Sequence, residues 1–411
     1  MSQTFHGNFF IEGEFRERYV TIENGRISRI SVEPPQQDIR RVEGHILPGG
    51  VDIHVHFRDP GEIHKEDFSS GSTSAIFGGT TTVFDMPNNT APIIDKISFD
   101  NKLQSIGGKS FVDFGLYQAA SGEIVEEAIG EKVFLGKSTG GLLTDIEKAS
   151  FSGKIVVAHA ESQECLESYS RKERNLQEHD LARPVECELR AIEMLFNSGI
   201  GNLHLAHLTS IQTVELGKKL GFSTEVTPHH ILLNTESKLG AFGKTNPPLR
   251  KKSIQEELLN NLGNLNPDIV ASDHAPHSVK EKEDFESASS GVPGVETRIP
   301  LLLMLVNRNV LSLAKAVSMF STRPANRMGI AKGYIAKGFD ADFSVFNLKE
   351  ESMISADDLH SKCGWSPFEG FTGIFPKEVY LRGVLTMSEG EMDSQPKGVF
   401  IGGERKGKTS H

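Results

Sequence analysis

Apolar and polar residues alternate in short runs over the first 46 positions, at 8–11, 18–22 and 27–32, and the pattern breaks at Pro34-Pro35. Period-two alternation with turns between the runs predicts half-buried antiparallel strands. The same pattern returns near the other end, at 341–347, 378–382 and 399–401. Neither end alone has enough strands to bury a core. The two are therefore expected to combine into one small β-sandwich domain, with the middle of the chain inserted between them.

The middle reads differently. Apolar runs at 51–56, 81–85, 112–117, 132–135, 155–159, 203–207, 224–227 and 269–273 predict strands. Helical periodicity is expected at 67–77, 123–129, 186–197, 213–220, 254–262 and 298–306. Eight such units over about 280 residues match the size of an α/β (β/α)8 TIM barrel, with a doubly wound open sheet as the alternative. The expected division is 1–46 for the first part of the β-domain, 47–336 for the barrel, and 337–411 for the second part and a tail.

Composition narrows the function classes more than the fold. With 37% hydrophobic and 24% charged residues among 411, disordered and fibrous classes are excluded. The densest aliphatic stretch, 299–306, is less than half of the roughly 20 residues that a membrane helix needs. The opening Met-Ser-Gln-Thr-Phe-His has neither a basic nor an apolar leader region, so a cytoplasmic location is expected. A net charge of −11, with basic residues clustered only in the tail at 404–408, argues against a nucleic-acid partner. Cys165, Cys187 and Cys363, odd in number and without a Cys-x-x-Cys, predict reduced thiols. A bound metal would then have to be held by histidine and carboxylate.

Such residues occur where a barrel would use them. Asp52, His54 and His56 share one face of the first strand by period two, and a His-x-His pair can share a metal. His159 ends the fifth predicted strand, His207 the sixth and Asp273 the eighth, all at the C-terminal mouth where barrel active sites lie. Four His and one Asp suit zinc or a similar divalent ion with positions left open for water, which is a catalytic pattern. His204 is three residues from His207 and turns to the opposite face, while His229 and His230, after Pro228, fit a supporting role. His6, His45, His64, His179, His360 and His411 lack ligand spacing.

Six segments together resemble the signature series of the dihydroorotases, and they occur in that family's order. They are His54-Val55-His56-Phe57-Arg58-Asp59-Pro60-Gly61, Asp85-Met86-Pro87-Asn88-Asn89-Thr90, Glu225-Val226-Thr227-Pro228-His229-His230, Asn246-Pro247-Pro248-Leu249-Arg250, Ser272-Asp273-His274-Ala275-Pro276-His277 and Gly291-Val292-Pro293-Gly294-Val295-Glu296-Thr297. The terminal strands resemble the composite domain of the longer dihydroorotases and hydantoinases of the amidohydrolase superfamily. The resemblance implies a binuclear zinc centre. His54 and His56 would hold one ion, His159 and His207 the other, and Asp273 would be the last ligand. A hydroxide and a lysine carboxylated by carbon dioxide would bridge the ions, the lysine being Lys132 or, as the alternative on position, Lys137. Carboxylation needs a neutral amine, which burial favours, and its product offers one anionic oxygen to each metal.

The resemblance also implies a reaction: reversible cyclisation of N-carbamoyl-L-aspartate to L-dihydroorotate in pyrimidine synthesis, with Asp273 carrying the proton. Arg58, Asn88 and His277 would hold the substrate carboxylate, and Asn246 would contact the ring. A guanidinium can fork onto a carboxylate that hydantoin and dihydrouracil rings lack. A loop salt bridge to Asp59 or Glu62 is the alternative for Arg58. Asn89 stands where many dihydroorotases have Thr. Two other readings stay open: a hydantoinase- or allantoinase-type cyclic amidohydrolase, and an inactive scaffold for aspartate transcarbamoylase. A homodimer and association with that transcarbamoylase are the partner expectations beside the small-molecule substrate. The Gly-Ser-rich run 287–294 is expected to form a hinged loop.

Overall fold

The computed structural model describes residues 2–36, 38–136 and 141–403, so Lys137 and the basic tail lie outside the described residues. The chain opens with four strands, β1 (Ser2–Ile11), β2 (Glu14–Glu23), β3 (Arg26–Ser31) and β4 (Ile39–Pro48). Glu12 and Gly13 both take positive φ, the tight hairpin geometry that matches strand twist. β4 had no counterpart in the sequence pattern, because Arg40, Arg41, Glu43 and His45 interrupt its apolar positions.

The next strands are β5 (Gly50–Val55), β6 (Thr80–Asp85), β7 (Asp113–Leu116), β8 (Gln118–Ala119), β9 (Gly130–Phe134), β10 (Ile155–His159), β11 (Leu203–Leu205), β12 (Ser223–Val226) and β13 (Ile269–Val270). The chain then returns to β14 (Phe343–Phe346), β15 (Pro376–Leu381), β16 (Val384–Ser388) and β17 (Glu391–Met392). Both termini meet in one eight-stranded sheet of order β17-β16-β15-β14-β4-β1-β2-β3. The joint is the antiparallel ladder between β4 and β14. Phe5, Phe9, Val20, Ile46, Phe343 and Tyr380 share its core, with Phe343 stacked 4.5 Å from Tyr380.

The inserted strands pair in parallel, β5-β6-β7 in one sheet and β8 through β13 in another. Only Tyr117 separates β7 from β8, so one stretch of chain belongs to both sheets. At the other seam, Val55 makes a parallel bridge to His274, and the His56 N–H donates to His274 O at 2.8 Å. All residues of β5, β6 and β9 are buried, as expected for parallel strands covered by crossovers.

Three expectations need correction. Residues 399–401 do not join the terminal sheet: the Phe114 N–H donates to Val399 O and the Ile401 N–H to Phe114 O, so this segment lies along β7. Residues 123–129 form turns, not a helix, and the Val125 N–H donates to Gln118 Oε1. The helix in this part of the chain is Lys96–Ile106, capped by Asp95. Its periodicity is hidden because Lys102 sits in the buried stripe, neutralised by Asp85 and bonded to Asn89. Finally, Cys165 and Cys187 form a disulfide with Cα atoms 5.3 Å apart, and only Cys363 is a free, buried thiol. Helices Gln163–Ser168 and Val185–Asn197 pack together and bring the two sulfurs into reach, which linear spacing does not reveal.

Lys332 ties the inserted strands to the terminal sheet. Its ammonium bonds Asp113 at 2.7 Å, Asp340 at 2.9 Å and Asp342 at 2.6 Å, and Arg382 also pairs with Asp113. These three carboxylates converge as a metal site would, but buried cations already neutralise them. No helix among the described residues is long and apolar enough to cross a membrane.

Candidate metal centre

β5 carries His54 and His56 side by side, with ring centroids 5.3 Å apart. His159 ends β10, His207 follows β11 by two residues and Asp273 follows β13 by three. His207 and Asp273 adopt left-handed backbone with φ of 39° and 45°, and Arg58 does so at 61°. Such φ costs a non-glycine residue on the order of 1 kcal/mol and persists where other bonds fix it. The His207 N–H donates to Glu225 Oε1 at 3.0 Å, which holds one of these turns.

These residues, with Arg58, Asn88, Lys132 and Asn246, line one cavity of about 40 Å³. Phe134, Ala275, Ser290 and Gly291 complete its wall. Of the residues assigned to the site from sequence, only His277 stands off the wall. Its Nε2 lies 3.2 Å from Arg58 Nη2 and 3.1 Å from Ser290 O. Gly291 is required here, because at its φ of 142° a Cβ would meet Ala275 O at 2.5 Å. The Gly291 N–H also donates to Lys244 O at 2.9 Å, so the Gly-Ser run is bonded down at the cavity. A wider groove at the opposite ends of the strands, bordered by Arg26, Asn202, Asp268 and Arg327, contains no histidine.

Buried hydrogen bonds fix which imidazole nitrogen faces the cavity. An ionised carboxylate only accepts, so His54 Nδ1–H donates to Glu225 Oε1 at 2.8 Å and leaves Nε2 as a lone pair. His159 Nε2–H donates to Glu161 Oε2 at 2.8 Å and leaves Nδ1. His56 Nδ1–H donates to Asn88 Oδ1 at 2.7 Å and again leaves Nε2. Both carboxyls lie below the usual carboxylate range despite their burial: Arg183 and His159 outweigh it at Glu161, and His54 and His204 at Glu225. Burial pushes the His56 imidazole down to about 3 and lowers His159 and His207 as well, so the rings are neutral donors of lone pairs. Burial opposes ionisation of Asp273, yet its carboxyl is held well below its usual range, so it meets the rings as an anion.

Bare lone pairs therefore crowd together. Asp273 Oδ1 is 3.3 Å from His54 Nε2 and 3.1 Å from His56 Nε2. His159 Nδ1 is 3.0 Å from His207 Nε2, and His207 Nδ1 is buried without a hydrogen-bond partner. Two neutral nitrogens and an anionic oxygen repel in the first of these groups unless a cation lies between them, and the donor set suits divalent ions. Lys132, 1% exposed on β9, brings its Nζ to 3.5 Å from His54 Nε2.

Arg58 is 2% exposed, donates from Nε to Pro276 O at 3.3 Å, and has no carboxylate ion-pair partner among the described residues. The carboxylates beside it in sequence are used elsewhere, Asp59 by Lys109 and Glu62 by Lys65. Asn89 stitches the loop, donating to Pro60 O and accepting from Lys102. His204 faces away from the cavity toward Ser223 and Glu225, and His230 braces Thr227 and Pro247 O.

Glu225 and Glu161 were not among the site residues read from sequence. A charged residue within the otherwise buried β12 was the available signal for Glu225, because such a group is rarely buried unpaired. Glu225→Gln is expected to weaken metal retention by about 10- to 100-fold, measured by dialysis against graded chelator, since outer partners fix the tautomer of a metal-binding imidazole.

The model of the amidohydrolase family matches residues 45–405. The dihydroorotase of Thermoplasma volcanium is 43% identical over 98% of both chains, and that of Methanosarcina acetivorans is 36% identical over 97% of this chain and 94% of its own. Among solved structures, an L-hydantoinase (dihydropyrimidinase) from Arthrobacter aurescens superposes with a TM-score of 0.89 at 25% identity, covering 98% of this chain and 100% of that one. A D-hydantoinase follows with a TM-score of 0.85 at 26% identity, over 98% of each chain. The match spans both the terminal sheet and the inserted strands that carry the histidines, and the chain belongs to the amidohydrolase family and, within it, to the dihydroorotases.

Proposed function

We propose that this protein is a dihydroorotase that interconverts N-carbamoyl-L-aspartate and L-dihydroorotate through a binuclear zinc centre. His54 and His56 would hold one ion, His159 and His207 the other, and Asp273 would be the remaining protein ligand. Lys132, in carboxylated form, would supply a further anionic ligand. Burial pushes the Lys132 amine down to about 8, which raises the share of neutral amine able to take up carbon dioxide. With β7 and β8 counted as one continuous strand, the eight parallel strands act as a closed (β/α)8 barrel over 47–336, with 1–46 and 337–411 forming a composite sandwich. Support comes from the bridge between Val55 and His274 and from the shared core of the terminal strands.

When bound, the ions supply Lewis acidity and an acidified water. The chain's own residues do the rest. Asp273 accepts the proton of the attacking water and returns it to the departing ring nitrogen, a general acid–base role. Arg58 receives the substrate carboxylate, with His277 behind it as the group that orients the guanidinium. Asn88 anchors His56 and adds a contact to the carboxylate, and Asn246 contacts the ring. A cytoplasmic location and a small-molecule substrate go with this reading; homodimerisation and association with a transcarbamoylase are assembly expectations of the same reading.

The observation that carries the proposal over a hydantoinase or allantoinase is Arg58. It is a buried guanidinium on the cavity wall whose neighbouring carboxylates are paired with other cations. A ring without a carboxylate would leave that charge unpaired in the complex, which is costly. The test is steady-state turnover by zinc-loaded protein, with dihydrouracil, hydantoin and allantoin beside the carboxylated pair. Turnover of dihydroorotate and carbamoyl-aspartate alone is expected, lost on chelation and restored by added zinc. Turnover of an uncarboxylated ring would move the chain to a sister activity, and no turnover at full metal content would favour the scaffold reading.

A further inference from the structure

Lys282 lies off the cavity wall, and no step above uses it, yet it is 1% exposed at the end of the single turn Val279–Lys282. Its Nζ donates to Lys244 O at 3.1 Å and to Ser289 O at 2.8 Å, and sits 5.7 Å from the centroid of the Trp365 ring. Two carbonyls and an indole face satisfy the donor directions of an ammonium group. A lysine buried this deeply is costly unless its amine is hydrogen-bonded, and both bonds here go to loop carbonyls.

Each carbonyl belongs to a segment that builds the cavity. Lys244 is two residues before Asn246, and Ser289 immediately precedes Ser290 and Gly291. The segments are also cross-bonded. The Gly291 N–H donates to the same Lys244 carbonyl, and Ser290 Oγ donates to Asn246 Oδ1 at 3.2 Å. Trp365 Nε1 donates to His277 O at 2.8 Å, which brings the ring behind Arg58 into the same assembly. Residues 244–246 and 289–291 lie outside helices and strands, so no ladder aligns them.

We infer that Lys282 is a positioning residue that clasps residues 244–246 to 289–291 and so holds the wall formed by Asn246, Ser290 and Gly291 in its substrate-receiving shape. The inference rests on the dihydroorotase reading for the substrate's identity, though not for the clasp itself. Removing the amine should loosen substrate binding while leaving the metal donors and Asp273 in place.

The experiment is Lys282→Met, which keeps the length of the side chain and removes its donors. For dihydroorotate, KM should rise about tenfold or more while kcat stays within about threefold, with zinc content unchanged. Amide hydrogen exchange in the metal-loaded, substrate-free protein should quicken at 244–246 and 289–291 and remain as in the wild type at 155–159. An unchanged KM overturns the inference. So does a fall in kcat at constant KM, or exchange that quickens equally across the strands. Lys282→Gln, which keeps a donor for one carbonyl, is read by the same measurements if the Met variant does not fold. Wild-type protein inactive on dihydroorotate would reject the substrate reading, whereas the exchange comparison would still decide the clasp.

Discussion

Asp273→Asn should retain the fold and lose about 10³-fold or more in kcat for dihydroorotate hydrolysis, the upper part of the range for general acid–base catalysis. The substitution is a clean one because Asn tolerates the left-handed backbone that Asp273 adopts, at φ 45°. The amide keeps an oxygen near His54 and His56 but has no lone pair basic enough to take a proton at neutral pH. Metal content measured on the same preparation separates loss of the proton carrier from loss of an ion. Near-normal turnover with both ions present would sink the assignment, whereas a loss that follows metal content alone would make Asp273 a ligand only.

Replacement of Arg58 should have the next largest effect, on substrate selection. Arg58→Asn suits its left-handed backbone, at φ 61°, and removes the guanidinium. Truncating one partner of a buried charge pair costs about 2–5 kcal/mol, so kcat/KM for dihydroorotate should fall by about 30-fold or more, mainly through KM. The gap in kcat/KM between dihydroorotate and dihydrouracil, which has no carboxylate, should narrow accordingly. An unchanged KM for dihydroorotate would show that the carboxylate is held elsewhere. The position of His277, with Nε2 3.2 Å from Arg58 Nη2, leads to a weaker effect of the same kind for its own replacement.

Much of the architecture was legible because it depends on local periodicity. β10 begins and ends where its apolar run does, and the strand positions of β5, β6, β9 and β12 agree with their runs to within two residues. The helix Lys96–Ile106 was not legible, since its buried stripe includes Lys102, whose partner Asp85 is 17 residues away. The segment 399–401 was misplaced for a related reason: an apolar run announces burial and does not say against which strand. Spacing could not foresee the disulfide either, because it depends on how two helices pack.

The sequence by itself determined the donor types and their order. His54 and His56 come two apart on one strand, and His159, His207 and Asp273 come at later strand ends, so any fold that gathers those ends gathers a metal site. Tertiary structure alone decided which atom of each donor faces inward. Glu225 lies 171 residues from His54 and fixes its tautomer, while Glu161, held by Arg183, does the same for His159 from the opposite nitrogen. It also decided that Arg58 has no carboxylate ion-pair partner among the described residues, where Lys109 and Lys65 take the neighbouring acids. Periodicity reports which face of an element is buried. The direction of a lone pair or the pairing of a charge depends on which distant residue shares that burial, and that is settled only when the chain has closed on itself.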